Sequence, residues 1–323
     1  MSGMLYKKIP YVDRPVSRIL YGTAAMPFLD GGDGNALFDD MFALGVNTFD
    51  TARNYKAAEA SLGKWIDARQ NREEIVILSK CGHPDDSGKK RVTESDMRED
   101  FRTSAEYLRT DFIDIYLLHR DDPEVPVGEI VEIFNAMHEE GKIGAFGGSN
   151  WTYRRIEEAN EYAYAHRLIP FTVSSPNFGL ADQVRDPWGG GCETISGPSH
   201  KRDREWYAMH EMPVVAYSSL GRGLFSGKMK SVDADNVDKY LDAVAIRGYV
   251  CAENMERLRR CEILAEKKNC LVPQIAMAYI HAKGLNCFAV VNTSSKKRMQ
   301  QNIDALHIAL TKEETDWLDL ESE

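Results

Sequence analysis

The 323-residue sequence holds no run approaching the roughly 20 apolar residues that a bilayer-spanning helix needs. Its first residues also lack the basic-then-apolar pattern of a secretory leader, so a cytoplasmic chain with no membrane partner is expected. Cysteine is sparse. The six present (Cys81, Cys192, Cys251, Cys261, Cys270 and Cys287) form no CxxC pair, which argues against a zinc site or a disulfide framework and predicts reduced thiols and no bound metal. Positive charge is in deficit: 40 Lys and Arg stand against 50 Asp and Glu, a net charge of −10, so no nucleic-acid partner is expected. Internal repeats and low-complexity tracts are missing, and no GxGxxG turn follows the first apolar run, which excludes a Rossmann half. Two apparent motifs also fail. His119-Arg120-Asp121 echoes a kinase catalytic loop, but Pro126 stands where that loop needs Asn, and Gly227-Lys228 hints at a phosphate loop but is followed by Met229. Small molecules remain as the expected partners.

What the chain does have is a regular alternation. Short β-branched or aromatic runs at 18–21, 48–50, 75–80, 112–119, 143–149, 171–175, 214–218 and 288–291 alternate with amphipathic stretches such as 36–44, 94–108, 127–140 and 154–166. Eight βα units predict an α/β fold, a (β/α)8 TIM barrel, as a single domain over 1–323. Hydrophobic residues at 43% supply enough apolar surface for one large core. Ahead of the first barrel strand, runs at 5–9 and 16–19 flank the turn-like Val12-Asp13-Arg14-Pro15, which predicts a β-hairpin at the barrel floor. Connections at 177–201 and 228–248 are long enough to be functional loops. The first carries Pro187-Trp188-Gly189-Gly190-Gly191, so Trp188 is a candidate substrate wall on a hinge and Arg185 a candidate contact to a polar substrate.

Four polar residues fall at or just beyond the carboxyl ends of successive predicted strands: Asp50 and Tyr55, then Lys80, then His119. In a parallel barrel these ends converge on one mouth. Together they suit carbonyl reduction, in which an alkoxide formed by hydride addition must take up a proton. A phenol with an ordinary pKa of about 10 is a poor acid at neutral pH. A Lys ammonium held beside it by a carboxylate is expected to lower that pKa, and a histidine can orient the carbonyl oxygen.

The segment 45–63, Gly-Val-Asn-Thr-Phe-Asp-Thr-Ala-Arg-Asn-Tyr-Lys-Ala-Ala-Glu-Ala-Ser-Leu-Gly, resembles the signature of the aldo-keto reductase family, and the resemblance extends from about 16 to 320. It implies a catalytic tetrad of Asp50, Tyr55, Lys80 and His119, with Tyr55 as proton donor. It implies a nicotinamide cofactor, NADPH with NADH as the alternative. Gly22-Thr23-Ala24 resembles the family's turn after the first strand. Ser149 and Asn150 match the pair that holds the nicotinamide amide, and Ser175 stands where a glutamine is usual. The resemblance makes Tyr217 the aromatic that stacks on the nicotinamide, Ser218, Ser219, Leu220 and Gly223 the pyrophosphate wrap, and Lys228 a phosphate lysine. Thr293, Ser294, Arg298 and Asn302 resemble the adenosine-phosphate segment, with Asn292 replacing a common lysine or glycine. The implied activity is NAD(P)H-dependent reduction of an aldehyde or ketone, on a sugar-like or other polar carbonyl. Two other readings stay open: a cofactor-sensing regulatory subunit with slow turnover, and an aldolase using Lys80 as a Schiff-base amine.

Overall fold

The computed structural model describes residues 3–322. Among these described residues ten strands form two sheets. β1 (Tyr6–Lys7) and β2 (Val16–Ser17) pair antiparallel. The rest are β3 (Ile19–Gly22), β4 (Thr48–Asp50), β5 (Val76–Cys81), β6 (Ile113–Leu118), β7 (Ile143–Ser149), β8 (Val173–Ser175), β9 (Val214–Ala216) and β10 (Cys287–Val291). They form a closed parallel barrel in the order β10-β3-β4-β5-β6-β7-β8-β9. Each expected run holds one barrel strand, with ends displaced by no more than two residues. By contact, Leu5–Ser175 forms one compact unit, and the residues from Pro176 onward, with the start of the chain, form another.

In the first unit, β3 to β8 alternate with helices Asn35–Ala43, Ala58–Arg69, Glu94–Leu108, Val127–Glu139 and Tyr153–His166. The helix ends follow from local chemistry. Thr93 and Thr152 cap their helices by accepting from the amides of Asp96 and Arg155, and Arg109 and Arg167 end them in the left-handed conformation. Gly63 lets Ala58–Arg69 lie tight against Glu94–Leu108, since a Cβ there would come within 2.0 Å of the Tyr107 carbonyl oxygen. A buried aromatic group of Tyr21, Phe28, Phe38, Phe49 and Trp65 locks β3 and β4 to the first two helices, with edge-on and stacked contacts between 4.7 and 6.5 Å. The hairpin lies at the amino ends of the strands. Tyr6 donates to the Gly45 carbonyl at 2.7 Å, and Asn47 Oδ1 accepts from the Ser17 amide, both just before β4.

The second unit carries β9, β10 and helices Lys201–Met209, Ala243–Tyr249, Ala252–Lys267, Val272–Ala282, Lys296–Ala305 and Lys312–Leu318. One expectation fails here. The stretch 228–248 is not an extended loop: residues 231–239 form two 3₁₀ turns meeting at Asn236, and Ala243–Tyr249 is an α-helix capped by Asp242, which accepts from the Ala245 amide. Short helices of this kind carry too few residues for periodicity to reveal.

Candidate active site

Within the first unit, β4, β5 and β6 deliver their polar ends to one place. Gly22 pairs with Asp50, and the next residue, Thr23, donates both its amide and its hydroxyl to the Asp50 carbonyl at 2.9 and 3.0 Å. The Asp50 side chain receives the Lys80 ammonium at 2.5 Å, and that ammonium also donates to the Thr51 carbonyl at 2.8 Å. Both residues are buried. A tight turn follows β4, with the Tyr55 amide on the Ala52 carbonyl and Lys56 in the left-handed region at φ 49°. This turn brings the Tyr55 ring to 5.1 Å from the Lys80 Nζ and edge-on to His119 at 5.6 Å. All four expected residues therefore meet.

Behind them the helix that follows Tyr55 is anchored by a buried carboxylate. Glu59 pairs with Arg53 and accepts from Ser79 Oγ at 2.6 Å, tying the Tyr55 turn to β5. A lost partner here would leave a charge buried without compensation.

The electrostatics differ from the sequence expectation in one respect. Burial pushes the Tyr55 phenol above its ordinary value of 10, and Lys80 opposes this without overcoming it, so the net lowering does not occur. The outcome suits a proton donor: the phenol stays protonated, while the adjacent cation stabilises the phenolate left after transfer. Burial also works against the Lys80 ammonium, but Asp50, with Tyr55, holds its pKa above the ordinary lysine value. Burial raises the Asp50 carboxyl, and Lys80 pulls it back. His119 is held well below its ordinary value, first by burial and then by Lys80, Arg120 and His83, so the ring is neutral at pH 7. Among the described residues its Nδ1 is buried without a hydrogen-bond partner.

The next strand ends are linked to the same centre. Asn150, in the left-handed region at φ 60°, donates from Nδ2 to the His119 carbonyl at 3.3 Å and to Ser149 Oγ at 3.0 Å, and Ser149 Oγ donates to the Ser175 carbonyl at 3.1 Å. A non-glycine residue held there is a common mark of a site whose surroundings dictate its geometry. Sequence reasoning missed His83, whose ring lies edge-on to His119 at 5.0 Å. The signal was present: His83 is three residues beyond Lys80, where β5 runs out.

In the second unit the expected cofactor residues fall into two groups. After β9, Tyr217 is half-buried, Ser219 Oγ lies 3.0 Å from the Ala216 carbonyl as donor, and the chain passes through left-handed Ser218 (φ 53°), Gly221, Arg222 (φ 50°) and Gly223. The Leu220 carbonyl accepts from the Gly223 amide, and Lys228 is exposed farther on. After β10, Thr293 Oγ1 accepts from the Ser295 amide at 3.2 Å and Ser295 caps Lys296–Ala305. That helix opens on exposed Lys296, Lys297 and Arg298, while Asn302 is buried one turn later. Ser294 is exposed between the two.

The Trp188 segment is an ordered turn around one carboxylate. Asp186 accepts from the amides of Trp188 (2.7 Å), Gly189 (3.0 Å) and Cys192 (2.8 Å), and Arg247 donates to the Pro187 carbonyl. Gly189, Gly190 and Gly191 all have positive φ, which side chains would strain. Trp188 is 46% exposed, edge-on to Tyr217 at 6.2 Å and under the Arg222 guanidinium at 5.3 Å. Arg185 is exposed on the same turn.

The model of the aldo/keto reductase family matches residues 18–320 of the chain. "Aldo-keto reductase str7" of Strobilurus tenacellus is 28% identical over 86% of this chain and 77% of its own length. "Norsolorinic acid reductase B" of Aspergillus parasiticus is 28% identical over 86% of this chain and 72% of its own, and "Probable aryl-alcohol dehydrogenase AAD4" of Saccharomyces cerevisiae is 25% identical over 88% and 85%.

Proposed function

Because this chain belongs to the aldo-keto reductase family, an oxidoreductase family that acts on small carbonyl substrates, we propose that residues 1–323 form one catalytic domain that reduces an aldehyde or ketone to an alcohol with NADPH. The observation that carries this reading is the buried Asp50–Lys80 pair at 2.5 Å facing the Tyr55 phenol beside a neutral His119.

The residues after β10 suit a phosphate-bearing cofactor. A helix amino terminus already carries partial positive charge, and exposed Lys297 and Arg298 in its first turn add to it, so an anion there is favoured. Arg298 and Lys228 are the side chains proposed to hold phosphate, Tyr217 to cover the nicotinamide, and Ser149, Asn150 and Ser175 to line its amide edge. When bound, the reduced nicotinamide supplies the hydride.

The chain's own part is proton delivery and orientation. A neutral His119 donates to the carbonyl oxygen and fixes it near Tyr55. As negative charge grows on that oxygen, the Tyr55 hydroxyl gives up its proton, and the phenolate that remains faces an ammonium that Asp50 keeps charged. The same pairing argues against Schiff-base chemistry, since a lysine held protonated offers no amine lone pair. Substrate-dependent oxidation of NADPH, measured over a panel of sugars, aryl aldehydes and small ketones, tests the proposal. Cofactor binding without turnover on any of them would favour the regulatory subunit instead.

A further inference from the structure

We propose that His83 is a specificity residue that accepts a hydrogen bond from a hydroxyl on the carbon next to the carbonyl, which narrows the substrate class to 2-hydroxy aldehydes and ketones. This rests on the reductase reading above and assigns a role to a side chain outside the tetrad.

The loop that carries His83 is fixed at both ends. The Gly82 amide donates to Asp100 Oδ2 at 2.9 Å, Arg91 donates to Asp100 Oδ1 at 2.7 Å, and Lys90 reaches Asp122 at 2.5 Å. His83 therefore does not sit on a free-swinging segment. Its Nδ1 lies 2.8 Å from the Pro84 carbonyl oxygen, an atom that can only accept, so Nδ1 carries the ring proton. In the neutral ring the opposite nitrogen, Nε2, is then a bare acceptor. Burial and nearby Arg120 favour that neutral form.

The ring stands half-buried, 5.0 Å from His119 and 70° to it, and the His119 ring lies in turn 5.6 Å from the Tyr55 ring. His119 is the ring proposed to donate to the carbonyl oxygen. Two neighbouring imidazoles, one donating and one accepting, complement two oxygens on adjacent carbons, a carbonyl that accepts and a hydroxyl that donates. A plain aldehyde satisfies only the first. It offers the His83 acceptor no donor, and a site whose acceptor goes unpaired discriminates against the ligand that lacks the matching donor.

The test uses the purified full chain at saturating NADPH and compares kcat/KM for 2-hydroxypropanal and propanal, which differ by one hydroxyl. In His83→Phe the ratio of the two values is expected to fall by about two- to tenfold, the range of one hydrogen bond. His83→Gln, whose amide oxygen still accepts, is expected to keep most of the wild-type ratio. His83→Leu serves as a second acceptor-free variant if His83→Phe does not fold. An unchanged ratio in the acceptor-free variants, or an equal loss on both aldehydes with no rescue by Gln, overturns the assignment and leaves the reductase reading standing. If wild type reduces neither aldehyde nor any other carbonyl, the reductase reading itself fails and this assignment with it.

Discussion

The two compact units treat charge in opposite ways. In Leu5–Ser175 the candidate catalytic charges Asp50 and Lys80 are buried and matched inside the protein, and Glu59 with Arg53 is matched in the same way behind them. From Pro176 onward the candidate binding charges, Lys228, Lys296, Lys297 and Arg298, are exposed to solvent. Buried, matched groups are already oriented before a reaction and need little rearrangement as charge develops. Exposed cations are paid for by water until a ligand replaces it, so they bind without a fixed geometry of their own.

Disturbing the buried set should therefore affect rate most. Tyr55→Phe removes the proton donor and keeps the ring, and carbonyl reduction is expected to drop by roughly 10²–10⁴-fold with NADPH Kd within about twofold of wild type. Steady-state rates and a fluorescence titration of the cofactor measure the two quantities. A loss of rate under about tenfold removes Tyr55 from the donor role.

Lys80→Met leaves Asp50 buried without its cation. Breaking a buried pair in this way costs about 3–5 kcal/mol, readable as a lower urea midpoint, and the rate should fall alongside. The pH profile separates the two consequences. With its pKa raised above 10, the phenol remains protonated through the neutral range, so reduction in wild type should be flat up to about pH 10 as far as Tyr55 is concerned. Removing Lys80 takes away the charge that lowers the phenol's pKa, so the alkaline fall in rate should move to still higher pH. A fall that does not move would show that Lys80 does not act on Tyr55.

The same contrast explains what was legible in the sequence. Buried polar residues are uncommon enough that Asp50, Lys80 and His119 at the ends of apolar runs already marked a mouth, and the eight-strand count fixed the barrel around it. The direction of the Tyr55 shift was not legible, because it depends on how deeply the phenol is buried against a cation 5.1 Å from its ring centre. His83 was passed over because a single histidine in a polar loop has no periodicity to set it apart. The exposed residues Lys228 and Arg298 look like any surface cation, and only resemblance to a family singled them out. The Asp186 turn was hidden for another reason: its order comes from three backbone amides gathered on one carboxylate, which residue types alone do not announce.

For the exposed set the expected effects are on affinity. Arg298→Ala should weaken NADPH by about tenfold or more, the cost of one charge-assisted hydrogen bond, while NADH stays within about twofold. Equal Kd values for the two cofactors in wild type would take the 2′-phosphate role away from this residue.

The smallest effect belongs to Trp188, which sharpens the comparison because it is an exposed group held by an ordered turn. Its neighbours within the second unit are Tyr217 and the Arg222 guanidinium, and Arg222 is itself tied to Asp242 at 3.0 Å. The Asp186 carboxyl, which organises the turn, is held below its ordinary value because hydrogen bonds from backbone amides outweigh burial. That lowered pKa means its contribution to stability is present above the unfolded value of 3.8 and is lost as pH falls through the folded one, so the turn should hold at neutral pH and loosen in acid. If Trp188 is a substrate wall, Trp188→Ala should raise KM several-fold at neutral pH, about 1 kcal/mol, with cofactor Kd and Tm nearly unchanged. With the ring 46% exposed, about half of its surface stays in water, so the stability loss is expected to be well below that of a fully buried tryptophan. A marked drop in Tm with normal KM would show instead that the tryptophan holds Arg222 and the turn together and does not touch substrate.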